Sequence, residues 1–269
     1  MSRFSRETWC LVLGQREVAL WSTSRAQGRR LRAEATLASD VARPAVAGID
    51  EPAIQAAVAG LVDGHVPRGA SVSTLVQDEC ARYFMVDPPD NARRPADLRS
   101  AAALRLETLH GEPAEVWTVD ADWRASRRFL ACAAPDAAIR AVAGALAAAR
   151  IRDAGMCTEF VAGWNAHCRR MTAPRCWVLH AGRRLAVFAA CEGGKVVDVS
   201  TMAFPEPGLA LDDAMPEVRR CALRWGRPQP GTVYLLGSGW ADAADGRMGE
   251  TRLVRLPTPA APATAEASR

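Results

Sequence analysis

The chain has 269 residues, enough for one large domain or two small ones, each with its own core. Hydrophobic residues make up 49% and charged residues 24%, an ordinary globular composition that excludes a disordered or fibrous chain. The formal net charge of +4 is too mild for the electrostatic footprint of a nucleic-acid binder.

In chain order, residues 8–13 and 18–22 predict a hairpin closed around Gly14-Gln15-Arg16-Glu17. Leu31, Ala33, Ala35 and Leu37 alternate with polar neighbours, as a half-buried third strand over 30–37 requires. Asp50 can cap a helix over about 51–63, with Pro52 in its first turn and Gly64 past its end. A strand at 70–76 follows, then a strand over 81–89 stopped by two prolines, and a helix over 96–110 ended by Gly111. Two antiparallel strands are expected at 115–123 and 127–135. An Ala-rich helix opens at Asp136, and a short strand near 155–159 precedes a helix over 160–170. Strands at 176–180, 184–191 and 195–201 come next, with Glu192-Gly193-Gly194 as a hairpin turn. A helix over 211–225 and a strand over 232–237 lead to Gly237-Ser238-Gly239. The tail from Pro257 is low in complexity and reads as disordered.

The same pattern occurs twice. Residues 8–38 and 175–204 each carry an apolar run, a glycine turn, a second apolar run, a polar turn and an alternating run. After each comes a helix and one more strand. A duplicated α/β unit usually places its ligand between the two halves.

This order of elements resembles the actin-like fold shared by actin, heat-shock chaperones and hexokinase. Within it, the chain looks like the PilM proteins of type IV pilus assembly and the cytoplasmic domain of GspL in type II secretion. Three stretches carry the likeness: CARYFMVDPPDNARRPADLRSAAALRLETLHG, FLACAAPDAAIRAVAGALAAARIRDAGMCTEFVAGWNAH with its Ala134-Pro135 turn, and CWVLHAGRRLAVFAACEGGKVVDVSTMAF. The resemblance implies an α/β, actin-like (ribonuclease H-like) fold built from duplicated three-strand, helix, strand units. It implies a first half over 1–76, an inserted α+β segment over 77–135, a strand-helix connection over 136–174, a second half over 175–256 and a disordered tail over 257–269.

By that resemblance, each half should open with an Asp-x-Gly turn whose carboxylate orients a magnesium shell. This chain has Val12-Leu13-Gly14 and His180-Ala181-Gly182 instead. Both glycines remain and both carboxylates are missing: Leu13 cannot hold a hydrated cation, and His180 does not suit hard magnesium. Gly14, Gly182, Gly237 and Gly239 then mark vestigial turns of a nucleotide cleft. No cofactor, metal or catalytic residue is expected. The implied function is a scaffold without ATP hydrolysis, binding a cytoplasmic segment of an inner-membrane assembly protein. The alternative is a nucleotide-binding regulator or ATPase of the same superfamily. The partner site implied by the family lies near the 81–110 segment, with Tyr83 and Met85 as apolar anchors and Arg93, Arg94 and Arg99 as cations. Alternation allows only one strand face, Tyr83 with Met85 or Phe84 with Val86, to line a groove.

Other candidates read as structure. No run of about 18 apolar residues predicts a membrane span, and the N-terminus lacks a signal peptide's apolar core. A cytoplasmic location is therefore expected, and the resemblance implies one peripheral at the inner membrane. The eight cysteines form no C-x-x-C, so buried free thiols are expected rather than a zinc site or redox pair. His65 and His110 sit at expected helix ends, and His167 and Cys168 are adjacent on an expected helix and point apart. Asp120 and Asp122 share one strand face, which reads as an exposed face rather than an acid-base pair. The arginines at 124, 127 and 128 mix with acids and read as solvated surface. Gly193-Gly194-Lys195 lacks the remainder of a phosphate loop.

Overall fold

The computed structural model describes residues 7–38, 40–42, 48–205, 208–241 and 245–258. The expected disorder of the tail falls outside these residues from 259 onward.

β1 (Thr8–Leu13), β2 (Glu17–Ser24) and β3 (Gly28–Thr36) form an antiparallel meander. Its first turn is closed by the Gly14 N–H on the Glu17 carbonyl at 2.8 Å. α1 (Glu51–Val62) begins where the Asp50 side chain accepts the Ala53 N–H, and it buries Ile54, Val58, Leu61 and Val62. β4 (Ser71–Val76) then runs parallel to β1.

An inserted segment follows. β5 (Arg82–Val86), β6 (Trp117–Ala121) and β7 (Phe129–Pro135) form a separate sheet in the order β5-β7-β6. α2 (Pro95–His110) covers one face. Its Leu98, Ala102 and Leu106 pack with Phe84, Val86, Phe129 and Ala133, and each buried Leu contributes about 2 kcal/mol of apolar transfer.

The chain then returns to the first sheet. α3 (Asp136–Ala148) buries Ala138, Ala141, Val142, Ala145 and Leu146 in the core shared with α1, and β8 (Arg152–Thr158) pairs parallel to β4. The first sheet therefore reads β3-β2-β1-β4-β8. This corrects the sequence reading of 136–174 as a connection. Its helix and strand complete the first half, because β4 has a free edge that only a later strand can pair. α4 (Glu159–His167) then leads to the second half.

That half repeats the plan. β9 (Arg175–Ala181), β10 (Leu185–Glu192) and β11 (Lys195–Ala203) form a meander. α5 (Leu211–Arg224) follows, and β12 (Thr232–Leu236) lies parallel to β9. β13 (Gly246–Met248) and β14 (Thr251–Arg255), absent from the sequence reading, extend the sheet to β11-β10-β9-β12-β14-β13. Strand order and direction match the first sheet through five positions, since β14 joins β12 in parallel as β8 joins β4. The two expected triplets thus sit in two sheets of one topology, the duplicated α/β architecture.

Ion pairs tie the parts together. Asp198 on β11 is 3% exposed and meets Arg227 at 2.8 Å and Arg128, just before β7, at 3.2 Å. Arg183 after β9 meets Glu17 on β2 at 2.7 Å.

Candidate functional site

A cavity of about 410 Å³ lies between the halves, with Val12, Glu17, Trp21, Glu159, His180 and Gly237 among its walls. Its geometry follows from strand parity. Leu13 is fully buried in the first core, whereas Val12, one residue earlier, faces the cavity. The residue standing where the first half would need a carboxylate is therefore Val12, not Leu13. The second position is His180, as expected, but its ring is not free. Nδ1 lies 2.6 Å from Asp78 Oδ2.

Asp78 follows β4 in a short 3-10 turn and is 1% exposed. Its other oxygen accepts the Tyr83 hydroxyl and, at 2.9 Å, the Phe160 N–H. One buried carboxylate thus joins the inserted sheet, α4 and the second half. Burial alone would push the His180 imidazole down; the charge and hydrogen bond of Asp78, with the charge of Glu159, hold it above its ordinary range. Glu159 stands at the start of α4, beside Asp78. Burial and the Asp78 charge push its carboxyl up to about 7, against the pull of His180.

The four glycines serve backbone packing. The Gln77 side-chain oxygen fills the space a Cβ at Gly14 would take, and at Gly182 that Cβ would sit 3.1 Å from Glu159 Oε2. Gly237 has φ +87°, and side chains at Gly237 or Gly239 would overlap the carbonyls of Ala181 and Gly182. Only glycine lets these two turns touch.

The actin-like fold implies a magnesium nucleotide in such a cleft, and the residues here do not fit one. Val12 and His180 offer no hard oxygen ligand. Gln77 Oε1 and Glu159 Oε2, both without hydrogen-bond partners, lie against the two turns. Acceptor oxygens at those turns repel phosphate rather than cradle it. Among the described residues, no group of three or more His, Cys, Asp or Glu is arranged to hold a metal.

A second concavity, about 560 Å³, lies between the inserted sheet and the first half. β6 and β8 are edge strands of their sheets and both contribute to it. Its walls include Leu130, Ile139, Met156, Val161 and Trp164, all partly buried, with Asp120 and Asp122 exposed at the side.

The expected partner residues do not line it. Tyr83 and Met85 are 6% and 4% exposed. They sit opposite Cys132 and Leu130 and so share the face that borders the groove, but β5 is covered by β11 and Phe160. Phe84 and Val86 are buried under α2. Arg93 and Arg94 give their N–H groups to Asp97 at the start of α2, and Arg99 lies 5.2 Å over the Trp123 ring. These three cations belong to the α2 side of the sheet, across from the groove. Nothing local in the sequence marks Asp78, Glu159 or Gln77, and Asp120 and Asp122 read there only as an exposed strand face.

No family model matches the chain, and no curated protein matches it. Among solved structures, it is similar to a PilM-PilN type IV pilus biogenesis complex at 15% identity and TM-score 0.55, covering 88% of this chain and 82% of that one. It is similar to the cytoplasmic domain of EpsL, an inner-membrane component of the type II secretion system of Vibrio cholerae, at 11% identity and TM-score 0.53, covering 94% and 90%. A Bacteroides thetaiotaomicron protein of unknown function with an actin-like ATPase fold matches at 9% identity and TM-score 0.53, covering 88% and 86%. The fold is therefore the actin-like one, in the form seen in PilM and the EpsL cytoplasmic domain. Among the described residues, no helix is long and apolar enough to cross a membrane.

Proposed function

We propose that this protein is a non-hydrolysing scaffold that holds the short cytoplasmic segment of an inner-membrane protein in a pilus or type II secretion-like assembly. The observation that carries this reading is the groove between β6 and β8. It offers two unpaired strand edges for main-chain hydrogen bonds, apolar walls for alternate side chains and two aspartates for cations. Cytoplasmic segments flanking membrane spans are rich in Lys and Arg, so an extended basic and apolar peptide suits all three features. The cleft supports the non-hydrolysing part, since the two positions where the turns would need a magnesium-orienting carboxylate hold Val12 and His180, and the His180 ring is already paired with Asp78.

The test uses synthetic peptides copied from the cytoplasmic ends of single-span membrane proteins encoded beside this chain. Binding is followed by titration calorimetry, with Mg-ATP titrated in parallel. The reading expects one such peptide to bind, with affinity falling at least tenfold in Trp164→Ala and in the double variant Asp120→Lys, Asp122→Lys, at unchanged Tm. Binding that ignores these variants, or no binding by any peptide, rejects the groove. Low-micromolar Mg-ATP binding, about 7–8 kcal/mol, favours the nucleotide-binding alternative instead.

A further inference from the structure

We propose that Cys176 and Cys191 are a site of reversible oxidation, closing a disulfide between β9 and β10 when a peroxide reaches them. The two residues are direct partners in the antiparallel register of these strands. Directly opposed residues have Cα atoms about 4.5–5.5 Å apart, within the ~4.4–6.8 Å that a disulfide spans. Both side chains lie on the same face, in one apolar cluster, 6% and 3% exposed. Both are free thiols.

Their chemistry differs in the way a reacting pair requires. The neighbouring Cys191 thiol holds Cys176 below the ordinary thiol range despite burial, while the Cys191 S–H itself rests on the Ala189 carbonyl at 3.8 Å. The same interaction, with burial, pushes Cys191 up. Cys176, the lowered thiol and the more exposed of the two at 6% against 3%, is therefore the nucleophile and Cys191 the resolving thiol. A cavity of about 30 Å³ borders the pair, walled also by Arg175, Glu192 and Arg227, and has room for one molecule the size of peroxide. Other cysteines lack this arrangement: burial pushes Cys132 up to about 12 and Cys157 to about 11, and raises Cys10, Cys80 and Cys221.

The reaction balances with hydrogen peroxide as oxidant. The Cys176 thiolate attacks one oxygen, the O–O bond breaks, and hydroxide leaves as Cys176 becomes a sulfenic acid. The Cys191 sulfur then displaces the sulfenic oxygen, which departs as water with the Cys191 proton, and the S–S bond forms. Two thiols are oxidised, one peroxide is reduced, and two waters result. Cross-strand Cβ atoms stand about 4.5–5.5 Å apart against ~3.8 Å in a relaxed disulfide. The closed bond is thus strained and readily reduced again.

The experiment treats the full-length protein with stoichiometric hydrogen peroxide, alkylates it and maps tryptic peptides without reduction. Cleavage after Arg175, Arg183, Arg184 and Lys195 isolates the two cysteines on peptides 176–183 and 185–195. The proposal expects these to be linked as the main oxidised species and separated by dithiothreitol. It expects the link to vanish in Cys176→Ser, and dimedone to trap a sulfenic acid at Cys176 in Cys191→Ser. Oxidation of the partly exposed Cys168 with both Cys176 and Cys191 still alkylated overturns it. Because the wild-type map decides alone, a serine variant that fails to fold does not shelter the proposal.

Discussion

Replacing Glu159 by Gln is expected to stabilise the protein above neutrality and to leave it unchanged in acid. Glu159 has its Oε2 buried with no hydrogen-bond partner. Burial first and the Asp78 charge second lift its carboxyl to about 7. A Glu in the unfolded chain releases its proton near pH 4.3. Between these values the folded chain keeps a proton that the unfolded chain has lost, so stability falls as pH rises across the window. A lift from 4.5 to about 7 corresponds to roughly 3 kcal/mol against the folded state at pH 8. Gln has no proton to release, so the variant should lead by about 2–3 kcal/mol at pH 8 and by under ~0.5 kcal/mol at pH 4.5. His180 also titrates. Its folded value is raised, so its stabilising contribution is complete below about pH 6.5 and is lost as pH rises through the raised value. The variant loses the Glu159 charge that helps hold His180 up but keeps the larger contribution of Asp78, so most of that slope cancels in the difference. The assay is urea unfolding by tryptophan fluorescence at pH 4.5, 6 and 8, with the m-value checked for constancy. A gap of equal size at all three pH values, or a variant weaker than wild type at pH 8, refutes the account of Glu159 as a carboxylate ionised at a cost.

Asp78→Ala strips partners from the Tyr83 hydroxyl, the Phe160 N–H and His180 at once, and should cost about 3–5 kcal/mol in chemical unfolding; a loss below ~1 kcal/mol would show that the contact holds nothing together. Gly239→Ala forces a Cβ into the Gly182 carbonyl and should lower Tm by more than Gly246→Ala, where a Cβ meets nothing within 4 Å; equal effects would contradict the close approach of the two turns. Asp198→Ala leaves Arg227 and Arg128 without their shared carboxylate and should destabilise by about 1–3 kcal/mol, read as a shift in urea midpoint. An Asp198→Ala midpoint within error of wild type would dismiss this tie between the inserted sheet and the second half.

The duplicated meanders were legible in the sequence because their signals are local. Apolar alternation, a glycine turn and an Asp cap each act within a few residues, so β1, β2, α1, β9 and β10 came out close to their observed bounds. The site was not legible for the opposite reason. Asp78 gains its meaning from Phe160 and His180, which only the closed fold brings to it. A one-residue slip moves a side chain to the other face of a strand, and this separated Leu13 in the core from Val12 in the cleft. The alternation at Tyr83 and Met85 correctly paired them with each other. It could not report that β11 would cover β5 and leave only the β6 and β7 end of that face open.

The contact between Asp78 and His180 also constrains which sequences can follow this one by single substitutions. A mutation that installs Asp at position 180 would set two carboxylates against each other where Asp78 is 1% exposed, and one of them would have to stay protonated. A mutation that first removes the charge at 78 would strand the Tyr83 hydroxyl and the Phe160 N–H. Either first step loses stability before a second can compensate, and Val12 would still need replacing on the facing strand. The pair therefore acts as a mutational barrier: a carboxylate at position 180 can arise without loss of stability only by simultaneous change on both sides of the cleft.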